Sequence, residues 1–345
     1  MRRQHSAAAI ATAGVQGASL WENPADGARR LQWFLTRRTP LRQSVGAASC
    51  RAEIPTRLFF RSLQYRIEFA VFCAAAALAR ALPLERASTL SGRIWRWIAP
   101  LSKRHARALQ HLRLAFPEKS DGDRQAIALD MWETLGRIFG ESFHLDEILD
   151  SDRIVFENLD ELVADGRCAH GVVGCSAHLG NWEIAASLSG NFGSQALGIY
   201  QRVKNPLVDE RIRSMRARLY PGGLLAKSQA AGIAAIRHVK SGGTLVMLAD
   251  LRDRNGYPAP FFGRPAPSTT FPALVARTLN RPLLAVAVVR EPGVRFRIRG
   301  EFVDVPRTDD RAADIERGTE NLQRKLEDFV RANPSQWMWA HRRWG

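Results

Sequence analysis

Gly171-Val172-Val173-Gly174-Cys175-Ser176, followed by Ala177-His178-Leu179-Gly180-Asn181-Trp182-Glu183, is the stretch whose reading decides the fold. The first six residues are apolar, β-branched at their centre and preceded by the turn-forming pair Asp165-Gly166, so they read as a buried strand. Asn181 suits a helix N-cap, and Trp182 through Leu188 continues with helix-compatible residues until Gly190. The sequence therefore predicts strand, loop and helix in direct succession.

Working outward, the same alternation recurs. Apolar runs at 196–200, 244–249, 283–289 and 294–299 read as strands, and helical patterns fall near 206–219, 230–240, 270–280 and 309–332. Strands that alternate with helices argue for an α/β fold with a mostly parallel central sheet flanked by helices. Pro292-Gly293 predicts a hairpin that adds an antiparallel edge. From Ser88 to Ile148 the pattern is helical, with Leu90, Ile94, Trp97 and Ile98 at helical spacing and a second such run from Ala126 to Phe143. These helices are expected to cover one side of the sheet.

The loop after the first strand holds an imidazole and a carboxylate five residues apart. On one continuous helix His178 and Glu183 would face nearly opposite sides, so they meet only if His178 lies in the loop, which Gly180 permits. A carboxylate in a first turn is favoured in its ionised form by the helix dipole, and it could hold the imidazole in one tautomer. Free amides at the helix start could face an oxyanion. The arrangement suits a general base for acyl transfer.

Further along, Tyr200-Gln201-Arg202-Val203-Lys204-Asn205-Pro206 leaves a strand and opens a helix, so Arg202 and Lys204 are placed to bind phosphate or to sit in a solvated loop. Asp250 ends another strand in Asp250-Leu251-Arg252-Asp253, where it either ion-pairs with Arg202 or Arg252 or caps a turn. Pro258 to Pro267 reads as a loop, with Phe261 and Phe262 either lining it or joining the core. Trp337, Trp339 and Trp344, beside Arg342 and Arg343, suit an interface belt or the closure of a core.

Taken together, His178 to Glu183 resembles the H-x4-D/E motif of the lysophospholipid and glycerophosphate acyltransferase superfamily. Three later blocks, Tyr200 to Asp209, Asp250 to Thr270 and Pro334 to Trp344, follow in the order found in the bacterial lipid A biosynthesis (lauroyl/myristoyl) acyltransferases. The resemblance runs from about Leu58 to the end. Leu251 departs from it where glutamine is usual, as does Gln201 between Tyr200 and Arg202. It implies transfer of a fatty acyl group from acyl carrier protein, or from coenzyme A, to a hydroxyl of a lipid A precursor. His178 would be the base and Glu183 its orienting group, with Gly180, Asn181, Arg202, Lys204, Asn205, Asp250 and Arg252 as substrate-binding positions. The thioester is a co-substrate, and no other cofactor is implied. Acylation of another glycolipid, such as a phosphatidylinositol mannoside, and a catalytically silent lipid-binding protein are the alternatives.

Composition bounds the partners. The balance of 50 basic to 34 acidic residues gives +16, which suits anionic partners such as a phosphorylated lipid, a membrane surface or an acidic carrier protein. Nucleic acid is disfavoured, because no zinc-finger, helix-turn-helix or RNA-binding signature accompanies the charge. Cysteines 50, 73, 168 and 175 have neither CxxC pairing nor a regular framework, so neither disulfides nor a metal site is expected.

Residues 1–57 carry nine arginines, no lysine and three acids, with little apolar periodicity. They read as a poorly ordered extension. Residues 58–150 read as a helical membrane-associating region and 151–345 as the acyltransferase core. Phe69 to Ala79 is an unbroken apolar run of eleven residues, short of the roughly 20 needed to span a bilayer. An anchor at about 66–84 is expected, lying in the interface or spanning if Arg80 snorkels, with a buried core helix as the competing reading. The expected location is the cytoplasmic face of the bacterial inner membrane.

Overall fold

The computed structural model describes residues 56–344. Its centre is a seven-stranded sheet ordered β1-β9-β8-β2-β5-β3-β4. In chain order these strands are β1 (Ile154–Phe156), β2 (Val172–Ser176), β3 (Ala196–Tyr200), β4 (Gly223–Ala226), β5 (Thr244–Leu248), β8 (Leu283–Glu291) and β9 (Arg295–Val303). A separate ribbon comprises β6 (Tyr257–Phe261) and β7 (Arg264–Ser268). Pairing is parallel throughout the sheet except for the β8–β9 hairpin, as the alternation predicts.

Every residue of β2 is buried, because the strand lies mid-sheet with a core on each face. Val173 and Cys175 join the core on one face, with Leu245, Leu283 and Ala285. Val172 points the other way, to the core containing Val246, Leu284, Val286 and Ile184. A continuous apolar run is what such a two-sided strand requires, each such side chain contributing roughly 1.5–3 kcal/mol on burial.

Several expectations change. The hairpin does not end the sheet, because the three-residue β1 pairs parallel to β9 outside it. Pro258 to Pro267 is no loop but the β6–β7 hairpin, with Pro258 opposite Pro267 and Pro260 opposite Pro265. Proline lacks the N–H that a ladder uses, so the four fit only at pairs that exchange no hydrogen bonds. The hairpin turns on Phe262 (φ 53°) and Gly263 (φ 68°), the double positive φ of a type I′ turn. Phe261 and Phe262 are core residues, packed with Phe116, Trp337, Trp339 and Trp344. The tryptophans of the closing segment thus close a core and do not form an interface belt: Trp337 and Trp339 are almost completely buried.

Among the described residues four long helices precede the sheet: α1 (Thr56–Ala81), α2 (Leu84–Ile98), α3 (Lys103–Ala115) and α4 (Asp121–Glu141). Ser120 and Asp123 form a reciprocal capping box that fixes the start of α4. The short α5 (Leu145–Leu149) and α6 (Leu159–Ala164) flank β1. The apolar helix is longer on its N-terminal side than the expected anchor at 66–84. It is long and apolar enough to cross a membrane over Arg61–Ala81, and only 6% of its most apolar window is buried. That rules out the core-helix reading. Pro83 ends the apolar stretch short of Leu84, where α2 begins.

Leu90, Ile94, Trp97 and Ile98 do form a helical stripe, but it faces outward and does not cover the sheet. The buried side of α2 is instead Leu84, Ala87, Ser88 and Gly92. It lies against α4, where a Cβ on Gly136 would come within 2.6 Å of Ser91 O and one on Gly140 within 2.7 Å of Ala87 O. Ala87 and Ser91 bring the two backbones together there, and Trp95 lies on the same side against Gly136, Trp132 and Phe139, so Leu90, Ile94, Trp97 and Ile98 are left pointing away. The expected extension at 1–57 lies outside the described residues except for its last two positions.

Candidate active site

Parallel pairing of β2 with β5 puts residue i beside residue i+72, from Val172 with Thr244 to Ser176 with Leu248. Two steps beyond the strand ends the same offset sets His178 beside Asp250. Ala249 N still donates to Ser176 O at 3.0 Å there, so the register persists past both strands. The site lies at the carboxyl ends of central parallel strands, where open α/β sheets place ligands.

Asp250 grips His178 at two points. Imidazole Nδ1 lies 2.8 Å from Oδ1, and the His178 backbone N–H donates to Oδ2 at 2.8 Å. Trp337 Nε1 donates to Oδ2 as well, at 2.8 Å. Burial alone would raise the pKa of this carboxyl; the imidazole charge and these hydrogen bonds outweigh it and hold Asp250 down at about 2. An ionised carboxylate can only accept, so Nδ1 carries a proton and Nε2 is left as the basic nitrogen. Among the described residues Nε2 makes no hydrogen bond, and the His178 side chain remains 12% exposed.

The loop is clamped from the closing segment. Leu179 bridges to Trp337, Gly180 N donates to Gln336 O at 3.1 Å, and Met338 N donates to His178 O at 3.1 Å. Gly180 has φ 54°, and a Cβ there would stand 2.1 Å from Val288 O. Only glycine fits.

The expected contact between Glu183 and His178 is replaced by another. Glu183 lies in the first turn as anticipated, but of a 3₁₀ helix over Trp182–Phe192. Its carboxylate takes Arg216 Nη2 at 2.5 Å and Trp182 Nε1 at 3.1 Å. The indole of Trp182 meets the His178 ring edge-on, centroids 5.0 Å apart. Glu183 is therefore tied to His178 through Trp182. Asn181 is not a side-chain N-cap: it is fully buried and donates from Nδ2 to Glu141 Oε2 at 3.0 Å. Glu141, also fully buried, accepts from Ser88 Oγ at 2.6 Å and pairs with Arg290 of β8. This inward network joins α2, α4, β8 and the His178 loop.

Of the alternatives open for Asp250, the ion pair with Arg202 is not made: its carboxylate oxygens hold His178 and Trp337. Arg202 is 71% exposed, its nearest carboxylate being Asp209 at 3.8 Å. Asp209 itself accepts from Tyr200 Oη and Val203 N, each at 2.8 Å, and so shapes the turn that carries Arg202. Asn205 caps α7 (Pro206–Met215) through Leu207 N at 3.0 Å, and its amide nitrogen holds Tyr65 O at 2.8 Å and Glu68 Oε2 at 3.0 Å on α1. Its polar atoms are thus engaged in fastening, while Lys204 and Arg252 are exposed. The apolar helix is in this way tied to the Arg202 loop.

Sequence reasoning missed Trp337 and Arg216 as partners of the site, and also His341. Burial first, and then the charge on His178, lower the pKa of His341, which marks it as a neighbour of His178. Cys175, three residues before His178, is no competing nucleophile: burial pushes its thiol far up, and Cys168 is pushed to about 11.

A family model of the bacterial lipid A biosynthesis acyltransferases matches residues 56–345. The chain belongs to this family. It is an acyltransferase of lipid A biosynthesis, and family membership implies an acyl donor and a lipid A precursor as substrates. The match covers the whole described part of the chain, including the apolar helix in a family of membrane-associated enzymes. No curated protein matches the sequence.

Proposed function

We propose that the enzyme transfers a fatty acyl group from acyl carrier protein to a hydroxyl of a lipid A precursor at the cytoplasmic face of the inner membrane. His178 Nε2 accepts the hydroxyl proton as the oxygen attacks the thioester carbonyl. The tetrahedral intermediate collapses, the C–S bond breaks, and the departing thiolate takes the proton from Nε2. The imidazolium that exists between these transfers is stabilised by Asp250. No acyl-enzyme forms.

The observation that carries this reading is the two-point grip of a buried, ionised Asp250 on an imidazole whose Nε2 is left open. Glu183 is a positioning residue: with Arg216 it holds the indole that flanks the base. Arg202 and Lys204 read phosphate on the acceptor, a role supported by their exposure on the loop that Asn205 ties to α1. The net charge of +16 suits an acidic carrier protein as donor. The test is turnover with purified acyl carrier protein thioester and lipid A precursor, with coenzyme A thioester alongside. A preference for coenzyme A would overturn the donor, and no transfer to any lipid A precursor would overturn the acceptor. Mass spectrometry of lipid A from a strain lacking the gene gives chain length from the missing mass.

A further inference from the structure

The outward stripe of α2 has no partner among the described residues. Leu90 is 48% exposed, Ile94 47%, Trp97 85% and Ile98 57%, and Leu101, in the 3₁₀ turn that continues the helix, is 88% exposed. Spacings of four, seven and eight residues gather the first four on one side of the helix. Exposed large apolar residues are ordinary when scattered and informative when contiguous. These five are contiguous, and one is a tryptophan.

We infer that α2 is a second membrane contact, lying in the plane of an anionic bilayer surface beside the apolar α1. Three observations commit the stripe to lipid. It follows an apolar helix closely in the chain, because only two residues separate α1 from α2 and α1 itself exposes Leu63, Ile67, Val71 and Leu78. Exposed Arg86 and Arg93 lie four residues before Leu90 and Trp97, along one edge of the stripe, where their stems can lie on lipid while the guanidinium groups reach phosphate. Exposed Lys103 and Arg104 follow at its far end. Large apolar residues on one side with arginines at the border is the make-up of an interfacial helix.

The consequence concerns orientation. A single anchor leaves the core free to swivel, whereas two contacts fix which face meets the bilayer. Because α2 packs on α4, and Glu141 of α4 holds Asn181 of the His178 loop, the second contact would set the height of the base above the lipid.

The test uses the full chain in vesicles of phosphatidylethanolamine and phosphatidylglycerol. Lipids brominated in the upper acyl chain are expected to quench wild type more than Trp97→Phe, since the difference isolates the emission of Trp97. Ile94→Glu with Trp97→Glu should lower turnover on vesicle-embedded acceptor at least about tenfold, and leave the rate on detergent-dispersed acceptor within about twofold of wild type. Equal quenching of wild type and Trp97→Phe, or an equal loss on both acceptors, overturns the inference. So does a double variant that passes from dimer to monomer in detergent while Trp97 is never quenched by lipid, which would give the stripe to a second copy. Should the double variant fail to fold by circular dichroism, the quenching comparison decides. Only the turnover arm rests on the acyltransferase reading: a wild type inactive on every acceptor would sink that reading and leave the quenching arm intact.

Discussion

The ends of β2 and β5 and the pair of helices α1 and α2 break the inside-outside rule in opposite directions. At the strand ends Asp250, Glu183, Asn181 and Glu141 are buried, and each is held by specific partners. On α1 and α2, Leu78, Trp97 and Leu101 face outward. Polar groups are expensive to bury and apolar ones to expose, so each departure marks a place where something other than the stability of the chain fixed the choice. At the strand ends that is the proton chemistry proposed above. On the helices it is the proposed contact with lipid.

The sharpest way to break this contrast is to remove the base. His178→Ala is expected to lower turnover by about 10²–10⁴-fold or more, with the fold kept, in an assay with acyl carrier protein thioester and lipid acceptor. A near wild-type rate would make the buried polar cluster a structural feature only.

Replacing the two carboxylates in turn sharpens it. Asp250→Asn keeps the shape but cannot stabilise an imidazolium, so a loss of about 10²–10⁴-fold in kcat is expected, whereas Glu183→Gln, one side chain removed from the ring, should lose clearly less. The reverse order would mean that Glu183 turns to His178 when substrate is bound.

Glu141→Ala tests whether the buried network holds the two regions together. It strands Arg290, so a stability loss of about 3–5 kcal/mol is expected in denaturant titrations. A loss below about 1 kcal/mol would mean that the α4 to β8 ion pair is dispensable.

Acid stability reads the same region more finely. Folding lowers the pKa of Asp250, so its contribution is present above the unfolded value near 3.8 and is lost as pH falls through about 2. That difference is worth about 2 kcal/mol. Asp250→Asn should flatten the acid limb of stability between those two values, measured by denaturant titration against pH, and an unchanged limb would refute the depressed carboxyl.

The smallest effect lies where the two regions meet. Arg202→Ala should weaken use of a phosphorylated acceptor by about 10–100-fold in its apparent constant, with little change for the acceptor lacking that phosphate, and Arg202→Lys should recover only part. Equal losses on both acceptors would give Arg202 a structural role.

Much of the fold was legible because most of its strands are buried on both faces or alternate cleanly. Gly171 to Ser176 and Leu283 to Val289 stand out as apolar runs, and Val294 to Arg299 as alternation. The strands that escaped notice lack that signal. β1 is three residues at an edge, β4 is only half-buried, and the β6–β7 ribbon carries prolines at alternate positions. In the site, the imidazole and its loop were legible from local residue types. Trp337, Arg216 and the link between Asn181 and Glu141 were not, since each joins segments at least 33 residues apart.

The sequence by itself determined the candidate base, the strand that delivers it, the glycine that lets the chain turn after it, and the helical character of residues 88–98. All of these rest on interactions within a few residues, where periodicity, turn chemistry and caps act. Only the tertiary structure decided which carboxylate serves the base and which side of α2 is buried. Asp250 reaches His178 because β2 pairs with β5 at an offset of 72, a register set by packing the whole sheet and invisible in either strand. The α2 stripe faces outward because Ala87, Ser91 and Trp95 meet the glycines of α4. Periodicity shows that a helix has two faces; only its neighbour selects the one to bury.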